Sequence, residues 1–189
     1  MSSGLEAGFL LDRQWYWLRG EMERTKKPTL LILGRLFDEA QIPYAIIGGV
    51  ALQVHHPDPR TTLDIDIAVL SREAIPGETL IAAGFHKTGS FEHSENWMSA
   101  DGVPVQFTDD RALAGAISSA EAVSIDDVSL RIIRVVDLVH EKIRSGSDPA
   151  PRRLKRKQDL LDAESLLEAN PDLELTPDER AILTRGVPD

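Results

Sequence analysis

The sequence predicts an α+β fold with a helical C-terminal portion, and three observations carry that prediction. Residues 29–40, TLLILGRLFDEA, place Leu30, Leu33, Phe37 and Ala40 at helical spacing. Residues 44–47, YAII, form a short apolar run of β type, and LDIDI at 63–67 alternates with period two. From Val136 onward the periodicity is helical again.

Taken in chain order, residues 1–28 form an N-terminal helical extension. Trp15, Tyr16 and Trp17 are contiguous there. On a helix they cannot all face inward, so they either pack on the C-terminal helices or cover a partner surface. Pro28 marks a helix start for 29–40. The chain then turns at Ile42-Pro43 into YAII, which Gly48-Gly49 ends before VALQVHH resumes as a short helix. Two prolines make PDPR, 57–60, a loop. TLDIDIAVL follows as a strand with Leu63, Ile65 and Ile67 on one face and Asp64 and Asp66 on the other. A helix over 72–83, ended by Gly84, leads into antiparallel strands within FHKTGSFEHSENWMSADGVPVQFTDD, with Asp101-Gly102 as a tight hairpin turn. A helix over 110–118 and the strand VSLRIIRV complete a core spanning 29–135. The remaining residues, 136–189, are helical. Val136, Val139 and Ile143 form one stripe, SGSDPAP breaks it, and Leu160, Ala163 and Leu167 align on the next helix. The last helix opens with Thr176 as N-cap, Pro177 at its first position and Glu179 completing a capping box.

Composition narrows the class. Hydrophobic residues at 42% and charged residues at 28% describe a globular chain. The absence of cysteine excludes disulfides and thiolate metal sites, and points to a reducing cytoplasm. The N-terminal stretch lacks a basic start followed by a sustained apolar run, so it does not read as a secretory signal. No window approaches the ~18 apolar residues of a membrane span, so the expectation is a soluble protein without membrane contact. A net charge of -10 argues against a surface that binds nucleic acid everywhere. Lys142, Arg144, Arg152, Arg153, Lys155, Arg156 and Lys157 nevertheless cluster with only Asp148 nearby among acids of the 142–157 stretch. That run is either a solvated helix face or a local phosphate-binding patch.

The chemistry concentrates in IIGGVALQVHHPDPRTTLDIDIAV, residues 46–69. A glycine pair between strand and helix lets a ligand approach the backbone, and the helix start offers N–H groups to an anion. Two carboxylates one residue apart on a strand suit Mg²⁺, which takes one or two carboxylates plus waters and substrate phosphates. Each feature alone is common in sites without function. Together they set a phosphate cradle beside a metal site. His55 and His56 are adjacent, do not share a helix face, and read as surface or substrate-lining rather than metal ligands. His86 and His93 have no partner spacing, and nothing resembles a nucleophile elbow.

On these residues the sequence resembles the nucleotidyltransferase superfamily with the polymerase-β-like fold, and within it the branch of AbiEii-type toxin nucleotidyltransferases. The likeness rests on Gly48, Gly49, Ala51, Arg60, Thr62, Asp64 and Asp66. It continues through Lys142, Arg156, Asp159 and Asp162, spanning about 29–168. It implies a mixed sheet flanked by helices and Mg²⁺-dependent transfer of a nucleotidyl group from an NTP to an RNA or protein acceptor. It implies Asp64 and Asp66 as metal ligands with room for two ions, and Asp64, Asp66 and Lys142 as the catalytic set. Gly48, Gly49, Arg60, Thr62, Lys142, Arg156, Asp159 and Asp162 would bind the nucleotide, and an antitoxin protein is the implied partner. Read without the resemblance, Lys142 is a helix-surface lysine near Glu141. Two departures stand out. Gln106 occupies the place where the superfamily usually supplies a third carboxylate; Asp109 is expected to cap the next helix, and would substitute only if the register slips. The 14 residues at 50–63 make a slightly long connection between Gly49 and Asp64. A relative that binds a nucleotide or partner without transfer is therefore the second reading.

Overall fold

The structure, a computed structural model, describes residues 3–21 and 24–187. Positions 1, 2, 22 and 23 of the expected N-terminal extension, and 188 and 189 of the C-terminal region, lie outside the described residues. The chain divides into two compact units, Met1–Arg134 and Val135–Asp189.

The first unit begins with α1 (Ser3–Leu18) and α2 (Lys27–Glu39). Next come β1 (Tyr44–Ile47), α3 (Gly48–His55) and β2 (Ile65–Val69). After a 3₁₀ turn at Arg72–Ala74 and α4 (Gly77–Ala82), the chain lays down β3 (His86–Ser90), β4 (Ser94–Met98) and β5 (Pro104–Thr108). A second 3₁₀ turn at Arg111–Leu113 runs into α5 (Ala114–Ser119), followed by β6 (Glu121–Ile125) and β7 (Val128–Ile132). The strands form one sheet in the order β3-β4-β5-β2-β1-β7-β6. The sheet is mixed: β1–β7 and β2–β5 are parallel, and the other neighbours are antiparallel. This is the α+β class the sequence predicts.

The core follows from the helical and strand periodicities. Leu30, Leu33 and Phe37 of α2 are buried, with the Phe37 ring 4.9 Å from Tyr44 of β1 and 5.8 Å from Phe107 of β5. Burying side chains of this size contributes about 1.5–3 kcal/mol each. Ala40, expected on the same stripe, is exposed at the helix cap. Of the aromatic trio on α1, Tyr16 is buried whereas Trp15 and Trp17 are exposed.

Three local expectations change. The helix over 72–83 splits, because Pro76 lacks an N–H and holds Ile75 extended (φ -63°, ψ 125°), leaving only Gly77–Ala82 in α4. The expected strand at TLDIDIAVL starts at Ile65, so Asp64 precedes it. The strand β6 is additional. Its one buried residue is Ile125, so it lacks the apolar alternation that announces a strand, and a two-residue Asp126-Asp127 turn joins it to β7.

The second unit holds α6 (Val135–Ser147), α7 (Arg153–Ala169) and α8 (Pro177–Arg185). Leu138, Val139 and Ile143 of α6 are buried, as are Leu160, Ala163 and Leu166 of α7. The capping box at Thr176 and Glu179 is formed in both directions. Glu179 also meets His140 Nδ1 of α6. Burial alone would raise the Glu179 pKa, but hydrogen bonds from His140 and Thr176 outweigh it and hold the carboxyl below its usual range. Among the described residues, no helix is long and apolar enough to cross a membrane.

The end of α2 supplies a stability test. Ile42 N–H donates to Phe37 O and Gln41 N–H to Asp38 O, a Schellman motif whose left-handed position is held by Gln41 at φ 53°. A left-handed non-glycine residue is strained by about 1–2 kcal/mol, and glycine loses roughly 0.5–1 kcal/mol more chain entropy on folding. Gln41→Gly is therefore expected to stabilise the chain by about 0.5–1 kcal/mol in urea denaturation, despite loss of the exposed Gln41 Nε2 bond to Asp38 O.

Candidate active site

The site is built where β1 leaves the sheet. Antiparallel pairing of β1 and β2 sets Ile47 opposite Asp66. The next residue, Gly48, turns the chain into α3 at φ 62°, where its backbone lies against the Asp66 carboxylate. A Cβ on Gly48 would stand 2.9 Å from Asp66 Cγ and overlap Oδ2. A Cβ on Gly49 would stand 2.6 Å from Thr62 Cβ and overlap its hydroxyl. Both glycines are thus required by close approach to the segment that carries the aspartates. No side chain caps the start of α3, so its first-turn N–H groups are not taken up by a capping side chain.

Asp64 is exposed and accepts a 2.7 Å hydrogen bond from the buried Thr62 hydroxyl. Asp66 is half-buried in β2. Parallel pairing of β2 with β5 aligns Asp66 with Gln106, and antiparallel pairing of β5 with β4 aligns Gln106 with Asn96. Residues in register share a face, so the row reads carboxylate, amide, amide. Gln106 is exposed. Asp109, expected to cap the next helix, instead pairs with Arg72 at 2.8 Å, and it is Asp110 that caps the following turn by accepting from Ala112 N–H. Among the described residues, no cluster of three or more His, Asp or Glu is placed to hold a metal. Asp64, Asp66 and the in-register amide of Gln106 offer oxygen donors, a chemistry that fits Mg²⁺ completed by water and phosphate oxygens.

The loop between α3 and β2 is tethered at two carbonyls. Buried Gln53 of α3 donates through Nε2 to Arg60 O at 3.0 Å, and Lys26 Nζ donates to Thr62 O at 2.9 Å. Lys26 also meets both carboxylate oxygens of Asp12 on α1, at 2.7 and 2.8 Å. Burial pushes the Lys26 ammonium down and the Asp12 carboxyl up, each opposed by the charge of the other. The sequence reading missed Gln53, Lys26 and Asp12. A polar residue inside the apolar helix VALQV was the available signal for Gln53. The pair of Asp12 and Lys26, fourteen positions apart, had none. His55 Nε2 lies 2.7 Å from Ile133 O, and His56 Nδ1 accepts from Asp58 N–H at 3.0 Å.

The remaining expected residues gather in the second unit. Lys142 Nζ reaches Asp159 Oδ1 at 2.7 Å and Asp162 Oδ2 at 2.8 Å, with all three side chains buried. Lys155 adds a 2.8 Å bond to Asp159, Gln158 one to Asp162, and Arg156 Nε donates to Gly146 O at 3.3 Å. The three residues tie α6 to α7. Burial lowers the Lys142 pKa, but the charges of Asp162 and Asp159 outweigh it and hold the ammonium above its usual 10.5.

Two outcomes follow. Lys142→Met removes the buried ammonium shared by Asp159 and Asp162 and is expected to destabilise the second unit by about 3–5 kcal/mol in urea denaturation. Because the folded pKa is raised, the lysine's contribution is fully present below pH 10.5 and is lost as pH rises through the folded value. Gly48→Ala combines the left-handed penalty with the overlap on Asp66, and is expected to lower stability by about 2–4 kcal/mol in the same assay.

No family model matches the sequence, and no curated protein is similar to it in sequence. Solved structures do match. The antigenic nucleotidyltransferase-like protein of Paracoccidioides brasiliensis superposes with a TM-score of 0.58 at 20% identity, covering 84% of this chain and 85% of its own. ANT(2'')-Ia in complex with adenylyl-2''-tobramycin gives 0.52 at 16% identity, over 85% of this chain and 99% of its own. The lincomycin-bound lincosamide antibiotic adenylyltransferase LnuA gives 0.53 at 15% identity, over 77% and 98%. The chain has the fold of the nucleotidyltransferases.

Proposed function

We propose that the chain transfers a nucleotidyl group from an NTP to an acceptor hydroxyl. The observation that carries this reading is the Gly48 backbone folded onto the Asp66 carboxylate within a nucleotidyltransferase fold. Asp64 and Asp66 would hold Mg²⁺, with Gln106 beside them as a neutral oxygen donor. The ion supplies charge stabilisation at the attacking and leaving oxygens. The backbone of Gly48 and Gly49 and the start of α3 receive the triphosphate. The acceptor oxygen forms a bond to the α-phosphorus as the bond to the β-phosphate oxygen breaks, and pyrophosphate leaves. Gln106 cannot take the hydroxyl proton, which passes to water. Lys142, Asp159 and Asp162 act as a brace between α6 and α7. The acceptor is an RNA, a protein or a hydroxylated small molecule such as those bound by the antibiotic adenylyltransferases. A toxin role with an antitoxin partner in a cytoplasmic setting is the narrower form of this reading, and its support is the sequence resemblance.

The alignment of Gln106 with Asp66 favours a second reading, in which the same scaffold binds a nucleotide without transferring it. The assay is incubation of each α-labelled NTP with Mg²⁺ and pools of the three acceptor types. Label transfer is expected, reduced by about 100-fold or more in Asp64→Asn and Asp66→Asn, since even partners behind a metal ligand contribute 10–100-fold. Gln106→Asp is expected to raise the rate. Undiminished Mg²⁺-dependent NTP binding by an Asp64→Ala, Asp66→Ala double variant would sink the assignment.

A further inference from the structure

We propose that Asp12 and Lys26 are positioning residues for the metal-holding carboxylate Asp64, acting through Thr62. The inference rests on the metal-site reading above and extends it to the N-terminal helix, which no sequence motif places in the site.

Lys26 and Asp12 are each 1% exposed. The ammonium has three N–H donors, and all three are used: two on the Asp12 carboxylate and one on Thr62 O at 2.9 Å. Asp12 Oδ2 also receives the Lys26 backbone N–H at 3.3 Å, at the start of α2. A buried ion pair is a poor source of stability, because an apolar pair of the same volume avoids the desolvation of both charges. An apolar pair would lack the third bond. That bond fixes a carbonyl in residues 56–64, which belong to no helix or strand and have no ladder to hold them.

Two steps connect this anchor to the carboxylate. Thr62, pinned at its carbonyl and packed against the Gly49 backbone, directs its hydroxyl to Asp64 Oδ1 at 2.7 Å. Asp64 is exposed and precedes β2, so the Thr62 bond restricts where its carboxylate stands. Partners of this kind orient metal ligands, and their loss weakens metal affinity by about 10–100-fold. The second tether leads to the same helix: a Cβ on Gly8 of α1 would fall 2.5 Å from Gln53 Oε1, so α1 backs both Lys26 and the Gln53 that holds Arg60 O. The opposite charges of Asp12 and Lys26 largely offset one another, and the Asp64 carboxylate is near enough to Lys26 for its charge to raise the lysine's pKa against the effect of burial, so Thr62→Val isolates the hydroxyl bond from that charge.

The test is titration of the full chain, free of nucleotide, with Mn²⁺ alone, followed by electron paramagnetic resonance, alongside urea denaturation. The unsubstituted protein is expected to bind Mn²⁺, and Asp64→Ala to lose that binding. The double variant Asp12→Leu, Lys26→Met removes both charges together. It is expected to fold with nearly unchanged stability and to bind Mn²⁺ about 10–100-fold more weakly. Thr62→Val, which keeps the carbonyl anchor and removes the hydroxyl, is expected to weaken binding in the same direction. A folded double variant with Mn²⁺ affinity within threefold (about 0.65 kcal/mol) of the parent overturns the positioning role while leaving the metal site standing. If the double variant fails to fold, unchanged affinity in Thr62→Val overturns it. Absence of Mn²⁺ binding by the unsubstituted protein overturns both the metal site and the inference built on it.

Discussion

The contact between the Gly48 backbone and the Asp66 carboxylate constrains more of this molecule than any other. It requires glycine at the end of β1, because both the φ of 62° and the space beside Asp66 exclude a side chain. It also fixes the departure of α3, whose opening residues then lie beside the β2 carboxylate. The connection from α3 back to β2 must consequently return to the same spot, bringing Thr62 against Gly49. The two tethers at Arg60 O and Thr62 O are what allow a long loop to do this reproducibly. A loop of that length is entropically cheap to extend, but an undirected one would leave Asp64 without a fixed position.

Charge in the second unit is arranged for cohesion more than its sequence suggests. Within the basic run, Lys142, Arg144 and Lys155 are paired with carboxylates, and Arg156 donates to a backbone carbonyl. The Lys142 triad removes from solvent a lysine that the sequence resemblance implied for nucleotide binding. Its buried position gives α6 and α7 a fixed register, a role for which buried ionic groups are better suited than for net stability. With a net charge of -10 over the chain, little of this surface is suited to broad, unspecific attraction of a polyanion.

What the sequence made legible was local. The α2 stripe, the GG turn, the period-two aspartates and the Thr176 capping box are each set by residues within one or two turns of one another. The GG turn and the capping box appear in the structure, the α2 stripe holds as far as Phe37, and of the two aspartates Asp66 lies in β2 while Asp64 just precedes it. The losses were of two kinds. Pro76 and the polar edge strand β6 changed element boundaries, because a helical or strand pattern over a dozen residues does not register one backbone N–H or the absence of a buried face. The Asp12–Lys26–Thr62 chain and the closure of Lys142 onto Asp159 and Asp162 depend on tertiary placement. Spacing showed that Asp159 and Asp162 share a helix face. It did not show that the face points inward onto a lysine from another helix.

Gln106 gives the site its individual character. The β2–β5 register puts its amide beside Asp66, and the β4–β5 register puts Asn96 beyond it, so the carboxylate row ends after one member. A third acid there would add one negative charge to the cluster, strengthen the hold on a second cation and offer a base. It would also increase repulsion among carboxylates before any cation arrives. The amide removes that repulsion and keeps an oxygen for ligation or for hydrogen bonding to a phosphate. If Asp64 and Asp66 hold Mg²⁺ as proposed, an incoming triphosphate would add oxygen ligands to a cation that the protein already binds. Nucleotide and metal should therefore bind with strong positive coupling, each supplying ligands or charge that the protein leaves out.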